Sequence, residues 1–401
     1  MKRGRKNDLA LSSVLLSLKE NSISRTNFIL KNSLKQTTSF FSNHSTLSYC
    51  LKRISISLAC LAIGLTLIFI LVRWNLEKTG IEAFMPDSLE KNNWTEEQKH
   101  SYYNKLLQLN NLDGNLWNQI LHFWYNIIPF FPKHILTSNS VVNFETGQLE
   151  PIYETRFIYF GVTMTNVLGS QNLDVSSEFE TAMPYSFTYG LITITISYLL
   201  GVPLGILAAI KNKKISGKLM NSVSLFIYSL PSVIIIMFFF LLPVGFFSQS
   251  SLFFSESFWP KFWPALTMCF LFVPFNIIMT RKYFVEEIQK DYVLFAYSKG
   301  LTTNMVFFKH IFRNTCVVIL RSLPLDLGMA IFGFSIITET QWNIPGLGKM
   351  LTTCLTPASN EPMVIMMYIT ISSVLITFTS LLADLIMIWL DPRVKIQGGK
   401  K

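Results

Sequence analysis

Tyr185-Ser-Phe-Thr-Tyr-Gly-Leu-Ile-Thr-Ile-Thr-Ile-Ser-Tyr-Leu-Leu-Gly-Val-Pro-Leu-Gly-Ile-Leu-Ala-Ala-Ile210 runs for 26 residues without a charged side chain. A helix crossing the hydrocarbon of a bilayer needs about 20 mostly apolar residues. Soluble core helices seldom continue that long without a charge, so this stretch reads as a membrane span. The reading extends outward in both directions. Ile54 to Val72 gives 19 uncharged residues, and Val223 to Phe247 and Phe262 to Thr280 are uncharged too. Asn314 to Thr338 reads as a fifth span despite Arg321 and Asp326, and Met363 to Leu390 as a sixth, broken by Asp384. The whole chain agrees: half of its 401 residues are hydrophobic and 14% are charged, against about 25% charged in a typical soluble domain.

The net charge of +10 is explained by placement. Lys211, Lys213, Lys214 and Lys218 follow the second span. Arg281, Lys282, Lys290, Lys299, Lys309 and Arg313 follow the fourth, and Arg393, Lys395, Lys400 and Lys401 follow the sixth. The short loops on the other side carry Lys261 and Lys349. The positive-inside bias then puts both termini in the cytoplasm, with Trp74, Trp263 and Trp389 at span ends as interfacial aromatics. No nucleic-acid surface is needed to account for the basic residues. Cys50, Cys60, Cys269, Cys316 and Cys354 form no CxxC pair, so neither a disulfide framework nor a zinc site is indicated. About fifty residues precede the first span, which reads as a retained anchor rather than a signal peptide.

The resulting organisation is a basic cytoplasmic extension (1–53), transmembrane helix 1 (54–72), an external segment (73–184), a core of helices 2–6 (185–390) containing a basic loop (281–313), and a cytoplasmic tail (391–401). The extension is polar and weakly periodic, and reads as loosely ordered. The external segment has 13 acidic and 7 basic residues and aromatic patches at Trp117, Phe123, Trp124 and Tyr125, enough for a small helical subdomain.

The loop between spans four and five is the most informative. Lys299 and Gly300, a cation in the last turn followed by a glycine, stop one helix. Thr302 or Thr303 caps the next, which runs into span five. The expected product is a short helix–turn–helix at the membrane face that presents Tyr292, Phe295, Phe307 and Phe308. Physics alone leaves two covers open for such an apolar face: the protein's own core or the lipid interface, and a groove in a cytoplasmic partner.

Asp291, Tyr292, Val293, Ala296, Lys299, Gly300, Leu301, His310, Arg313 and Asn314 stand in the register of the coupling loop of ABC importer permeases, peptide-permease branch, which this segment resembles. Ser229-Leu-Pro231-Ser232 resembles the motif of that branch's third span. Glu339-Thr340 with Ile344-Pro345-Gly346-Leu347-Gly348 resembles its external loop. Asp384, Asp391-Pro392-Arg393-Val394 and Tyr49-Cys50-Leu51-Lys52-Arg53 resemble the close of its last span and its start. Departures fall at Leu294 and Phe295, where the branch has polar or small residues, at Lys290, at Val318, in 1–48 and through 73–159.

The resemblance implies an all-α integral membrane protein: six transmembrane helices of the ABC importer permease type, with an external helical insertion between helices 1 and 2. It also implies partners: a second homologous permease, two ATP-binding subunits, an external peptide-binding lipoprotein, and an oligopeptide or dipeptide as substrate. The chain has no phosphate-binding Gly-x-x-x-x-Gly-Lys-Ser/Thr, since Gly346-Leu-Gly-Lys349 lacks the earlier glycine. ATP and Mg are therefore expected to be used by the partner subunits, with no catalytic, cofactor or metal residue here.

The loop residues expected to couple to the ATPase are Asp291, Tyr292, Ala296, Lys299, Gly300, Leu301, His310 and Arg313. Pro231, Ser232, Arg321, Asp326, Glu339, Pro345, Gly346, Gly348 and Asp384 are expected in the pathway or in helix packing. Arg321 and Asp384 lie at similar depth, Arg321 about 10 Å in, and are expected to pair, the alternative being a snorkelling arginine. Asp326 is weighed as a cavity residue or a contact for a substrate amine. Prolines 203, 231, 243, 264, 274 and 324 either shape a pore or are ordinary in membrane helices. The competing classes are an ion-coupled secondary transporter, which should show half-to-half similarity, a nickel or other small-solute ABC permease, and a membrane anchor for the external segment.

Overall fold

The structure is a computed structural model; it describes residues 45–79, 81–85, 94–142, 149–169, 171–247, 253, 258–356 and 361–390. The extension up to residue 44 and the tail motif Asp391-Pro392-Arg393-Val394 lie outside these. Leu58–Met387 forms one compact unit, described below; Met1–Ser57 with Ile388–Lys401 forms another, whose described parts are helix ends.

Five helices are long and apolar enough to cross a membrane: α1 (Ser45–Lys78), α4 (Val175–Ile210), α7 (Trp259–Ile288), α9 (Thr303–Trp342) and α11 (Pro362–Leu390). The third expected span is different. It is a pair, α5 (Ile215–Ser229) and α6 (Ser232–Phe247), bent by 93° at Leu230–Pro231. Proline disfavours the α region for the residue before it and removes a helical N–H. Leu230 is accordingly extended, at φ −72° and ψ 139°. Among the described residues there are thus five helices with the length and composition of a crossing, and six if the bent pair counts as one. Of the six prolines singled out in the sequence, only Pro231 breaks a helix; Pro203, Pro243, Pro264, Pro274 and Pro324 sit inside one.

Helix α4 packs closely along α7 because two glycines face it. A Cβ on Gly201 would lie 2.6 Å from the Asn276 Cβ. One on Gly205 would lie 2.6 Å from the Thr280 Cβ and 2.9 Å from the Ile277 carbonyl oxygen. Spaced four apart, the two glycines let the backbones approach, as small residues do at membrane helix interfaces.

The insertion after α1 holds α2 (Glu96–Leu109) and α3 (Leu116–Ile127). Thr95 and Gln98 form a capping box at the start of α2, and Asn115 caps α3. A two-stranded antiparallel sheet follows, β1 (Lys133–Val142) with β2 (Leu149–Arg156). The sequence reading expected helices alone there. The insertion is fastened to the membrane core by Glu361, which is fully buried ahead of α11 and accepts hydrogen bonds from the Met164 (2.9 Å) and Thr165 amides.

Candidate coupling surface and its supporting contacts

Helix α8 (Asp291–Ser298) follows α7 after a two-residue turn and ends at Lys299. Gly300 has φ +79°, a left-handed backbone that a glycine adopts without strain. Thr302 is the N-cap of α9, in extended conformation. Val293 and Ala296 are buried, and Val306 and Ile311 close the same core with Phe284. On the other face Leu294, Phe295, Met305 and Phe308 are 63%, 62%, 49% and 65% exposed. They form an exposed apolar crest.

Two of the four expected anchors face the other way. The ring of Phe307 stacks on that of Phe284 at 5.8 Å, in the core. Tyr292 is turned inward by its hydroxyl, which donates to the Glu287 carboxylate at 2.6 Å. Leu294 and Met305 supply the outward positions instead. The helical spacing that placed Phe295 outside puts Leu294 beside it, and a buried acid claims the tyrosine.

Glu287, at the end of α7, holds the loop from within. It accepts from Tyr292 and, at 3.1 Å, from the Asn314 amide of α9, and it pairs with Lys290. Asn314 also bonds the Tyr292 hydroxyl at 3.1 Å. Glu287 and Asn314 were not among the expected site residues. Their signal was an acid and an amide flanking a basic aromatic loop. Of the other loop residues, Lys299 lies over the Phe295 ring, 4.5 Å from its centroid. Leu301 packs on the loop's core, whereas Asp291 and Arg313 are exposed and His310 is partly buried.

Helix α9 carries two π-helical stretches, Phe307–Phe312 and Ala330–Phe334. Such bulges are wider, less stable turns that often mark functional positions. The first begins at the fifth residue of α9; the second abuts Gly190 of α4 through Ile331.

At the other end of α9, Glu339 is buried and accepts from the Ser186 hydroxyl at 2.6 Å and from the Gly348 and Lys349 amides at 2.6 and 3.3 Å. Ser186 in turn accepts from the Leu347 amide at 2.8 Å. The amides belong to the first turn of α10 (Leu347–Cys354), where a carboxylate offsets the exposed N–H groups and the helix dipole. The segment Gly346–Lys349 therefore has its amides occupied by the chain's own acid. A Cβ on Gly346 would collide with Glu339, and one on Gly348 with the Ile336 backbone. Pro345 follows the buried Ile344 and sets the turn.

Inside the bundle, Asp326 is 5% exposed and accepts from the Tyr198 hydroxyl at 2.6 Å. It joins α4 to α9 and does not line the large cavity. Arg321 and Asp384 stand 3.5 Å apart between α9 and α11, with the arginine 44% exposed. That cavity, about 1160 Å³, runs between α4, α5 and α7 past Tyr185, Leu200, Val223 and Phe262; Lys261 is the one charged residue lining it among the described residues. Pro231 and Ser232 mark the α5–α6 bend and do not line it either.

Residues 201–396 match the family described as binding-protein-dependent transport system inner membrane component. Those residues belong to that family. This permease core is similar to several named proteins. The oligopeptide transport system permease protein AmiC of Streptococcus pneumoniae serotype 4 is 32% identical over 222 residues, covering 53% of this chain and 43% of that one. The dipeptide transport system permease protein DppB of Lactococcus lactis subsp. cremoris is 26% identical over 274 residues, 66% of this chain and 88% of that one. The nickel import system permease protein NikB of Staphylococcus aureus is 24% identical over 238 residues, 57% of this chain and 70% of that one. The chain spans less than half the length of the pneumococcal relative. The aligned permease core contains the α8 loop, the Glu339–Gly348 contact and the Arg321–Asp384 pair; the insertion before residue 175 lies outside the family match.

Proposed function

We propose that the chain is the transmembrane permease subunit of an ATP-binding-cassette importer that carries oligopeptides or dipeptides into the cell, with ATP hydrolysed by two partner subunits. The observation that carries the reading is the apolar crest of Leu294, Phe295, Met305 and Phe308, held out by a buried Glu287–Tyr292–Asn314 cluster. A stiffly mounted apolar helix on a basic membrane face suits a groove in a partner better than it suits water. The names of the pneumococcal and lactococcal relatives support peptide as the substrate.

In this reading the basic loops are cytoplasmic, as are both termini, and the insertion faces outward, where a peptide-binding lipoprotein delivers substrate. A second permease completes the pathway. Motion of the ATPase pair pushes on α8, and the Glu287 cluster passes it to α7 and α9 together. The π-helical turns of α9 are the places where that rod yields. The bend at Pro231 and the apolar cavity beside it are the region whose shape changes between outward and inward access.

The nickel-import relative favours one second reading, a permease for a metal ion. Uptake of labelled di- and tetrapeptides and of nickel ions, in cells carrying or lacking the chain, separates the two. Peptide uptake that needs the chain and is abolished by ATP depletion supports the proposal. Nickel uptake without peptide uptake overturns the substrate. Uptake driven by an ion gradient and indifferent to ATP overturns the class.

A further inference from the structure

Helix α3, although it belongs to the insertion, packs along the apolar run of α1. The Trp124 indole donates to the Thr66 hydroxyl at 3.1 Å, and the Phe123 ring meets that of Phe69 at 4.7 Å. One turn earlier, Gln119 accepts from Arg73 at 2.9 Å. The helix therefore descends antiparallel to α1. Thr66 is eight residues below Trp74, about 12 Å at 1.5 Å per residue, inside a run that is uncharged from Ile54 to Val72.

The composition fits that depth. From Gly114 to Pro132 there is no Asp, Glu, Lys or Arg. Trp117 and Leu121 on one flank of α3 are 74% and 66% exposed, and Phe130 and Phe131 in the turn are 81% and 56% exposed. They continue the exposed stripe of α1 at Ile63, Leu67 and Leu71, the side that meets lipid. The adjoining flank, about 100° round the helix, carries Asn118 and His122, exposed; His122 borders a polar cleft with Lys105 and Gln108.

Irregular backbone in hydrocarbon survives only where its polar groups are satisfied internally. Lys133 provides this at the end of α3. Its ammonium is buried and donates to the Ile128 carbonyl at 2.9 Å and to the Phe157 carbonyl. The Tyr159 amide bonds the Asn126 carbonyl at 3.1 Å. We infer that 116–132 is a re-entrant segment, in which α3 and the Pro129–Pro132 turn are seated in the lipid leaflet on the insertion's side. Its occupant is acyl chain, and the segment anchors the insertion against that leaflet beside α1.

The test uses the full chain in bilayer nanodiscs, with native cysteines replaced and single nitroxide labels at Leu121→Cys or Phe130→Cys. Ile63→Cys is the lipid control and Glu97→Cys the water control. Relaxation by oxygen above relaxation by a water-soluble nickel chelate, matching the Ile63 site, is expected at both positions. Relaxation that matches the Glu97 site overturns the inference and marks the patch as a surface for a soluble or membrane partner. If the cysteine-free chain fails to fold, the wild type and Trp117→Phe are compared in bilayers of brominated lipid. Loss of a quenched component in the variant supports insertion; equal quenching in both overturns it.

Discussion

The Tyr292 hydroxyl of α8 and the Asn314 amide of α9 meet 3.1 Å apart on one carboxylate, that of Glu287. This contact decides which way α8 faces. It takes a tyrosine out of the exposed set and leaves Leu294 and Phe295 on the outer face.

Glu287→Ala strands the tyrosine hydroxyl and the asparagine amide. Losing the shared acceptor of partly buried donors costs about 1–3 kcal/mol. The expected outcome is faster hydrogen exchange at 291–301, with substrate-stimulated ATP hydrolysis of the assembled transporter reduced and its basal hydrolysis kept. Exchange equal to wild type would remove the cluster's mechanical role.

Leu294→Asp lies on an exposed face, where stability changes by less than about 0.5 kcal/mol. A charge in a buried partner contact weakens binding by at least about tenfold, or 1.4 kcal/mol. Thermal unfolding of the isolated chain should match wild type while the ATP-binding subunit dissociates faster by surface-immobilised kinetics. Unchanged dissociation would remove Leu294 from the interface.

Gly348→Ala puts a methyl group into the Ile336 backbone and 3.0 Å from a Glu339 oxygen. Overpacking of this kind costs about 1–3 kcal/mol, so the melting temperature in detergent should fall. Gly245→Ala, with nothing within 4 Å of the new Cβ, should leave it unchanged. Equal melting of the two variants would contradict the geometry.

Arg321 and Asp384 are close enough to pair. Either charge alone near hydrocarbon is costly, so Arg321→Asp and Asp384→Arg should each lower the yield of assembled complex. The double exchange should restore it. A double variant as poor as the singles would sink the pairing.

Burial raises the pKa of Glu361 above its ordinary 4.5, against the pull of the Met164 and Thr165 amides. A raised folded value means the neutral acid is favoured in the folded state. Its contribution to docking the insertion is complete below 4.5 and is lost as pH rises through the raised value. Exchange at 162–165 should therefore speed up with pH more than intrinsic chemistry accounts for, and Glu361→Gln should abolish the excess.

The membrane core was legible because its signals are local. An uncharged run long enough to span needs no knowledge of its neighbours, and Lys299-Gly300 stops a helix wherever it occurs. What was missed depends on tertiary contact. The Pro231 bend was expected only as a proline in a span, since composition does not say whether a freed carbonyl finds a partner. Tyr292 and Phe307 were assigned outward by spacing, but Glu287 and Phe284 on another helix reversed them. Gly201-x-x-x-Gly205 drew no reading from the sequence, and the structure shows it packed against Asn276 and Thr280. The β1–β2 pair has flanking residues too polar and irregular for its alternation to stand out. Asp326 was weighed as a pathway residue, and the Tyr198 hydroxyl now occupies one of its oxygens.

The most direct measurement of the central claim is co-purification of the tagged chain from gently solubilised membranes, beside a Gly300→Asp variant. Gly300 sits at φ +79° with open space around it, so the variant strains the turn of the coupling loop and charges it without disturbing the core. The account predicts an ATP-binding subunit and a second permease with the wild type, and loss of the ATP-binding subunit with the variant. Recovery of a lone chain or plain homo-oligomer, unaffected by the variant, would contradict it.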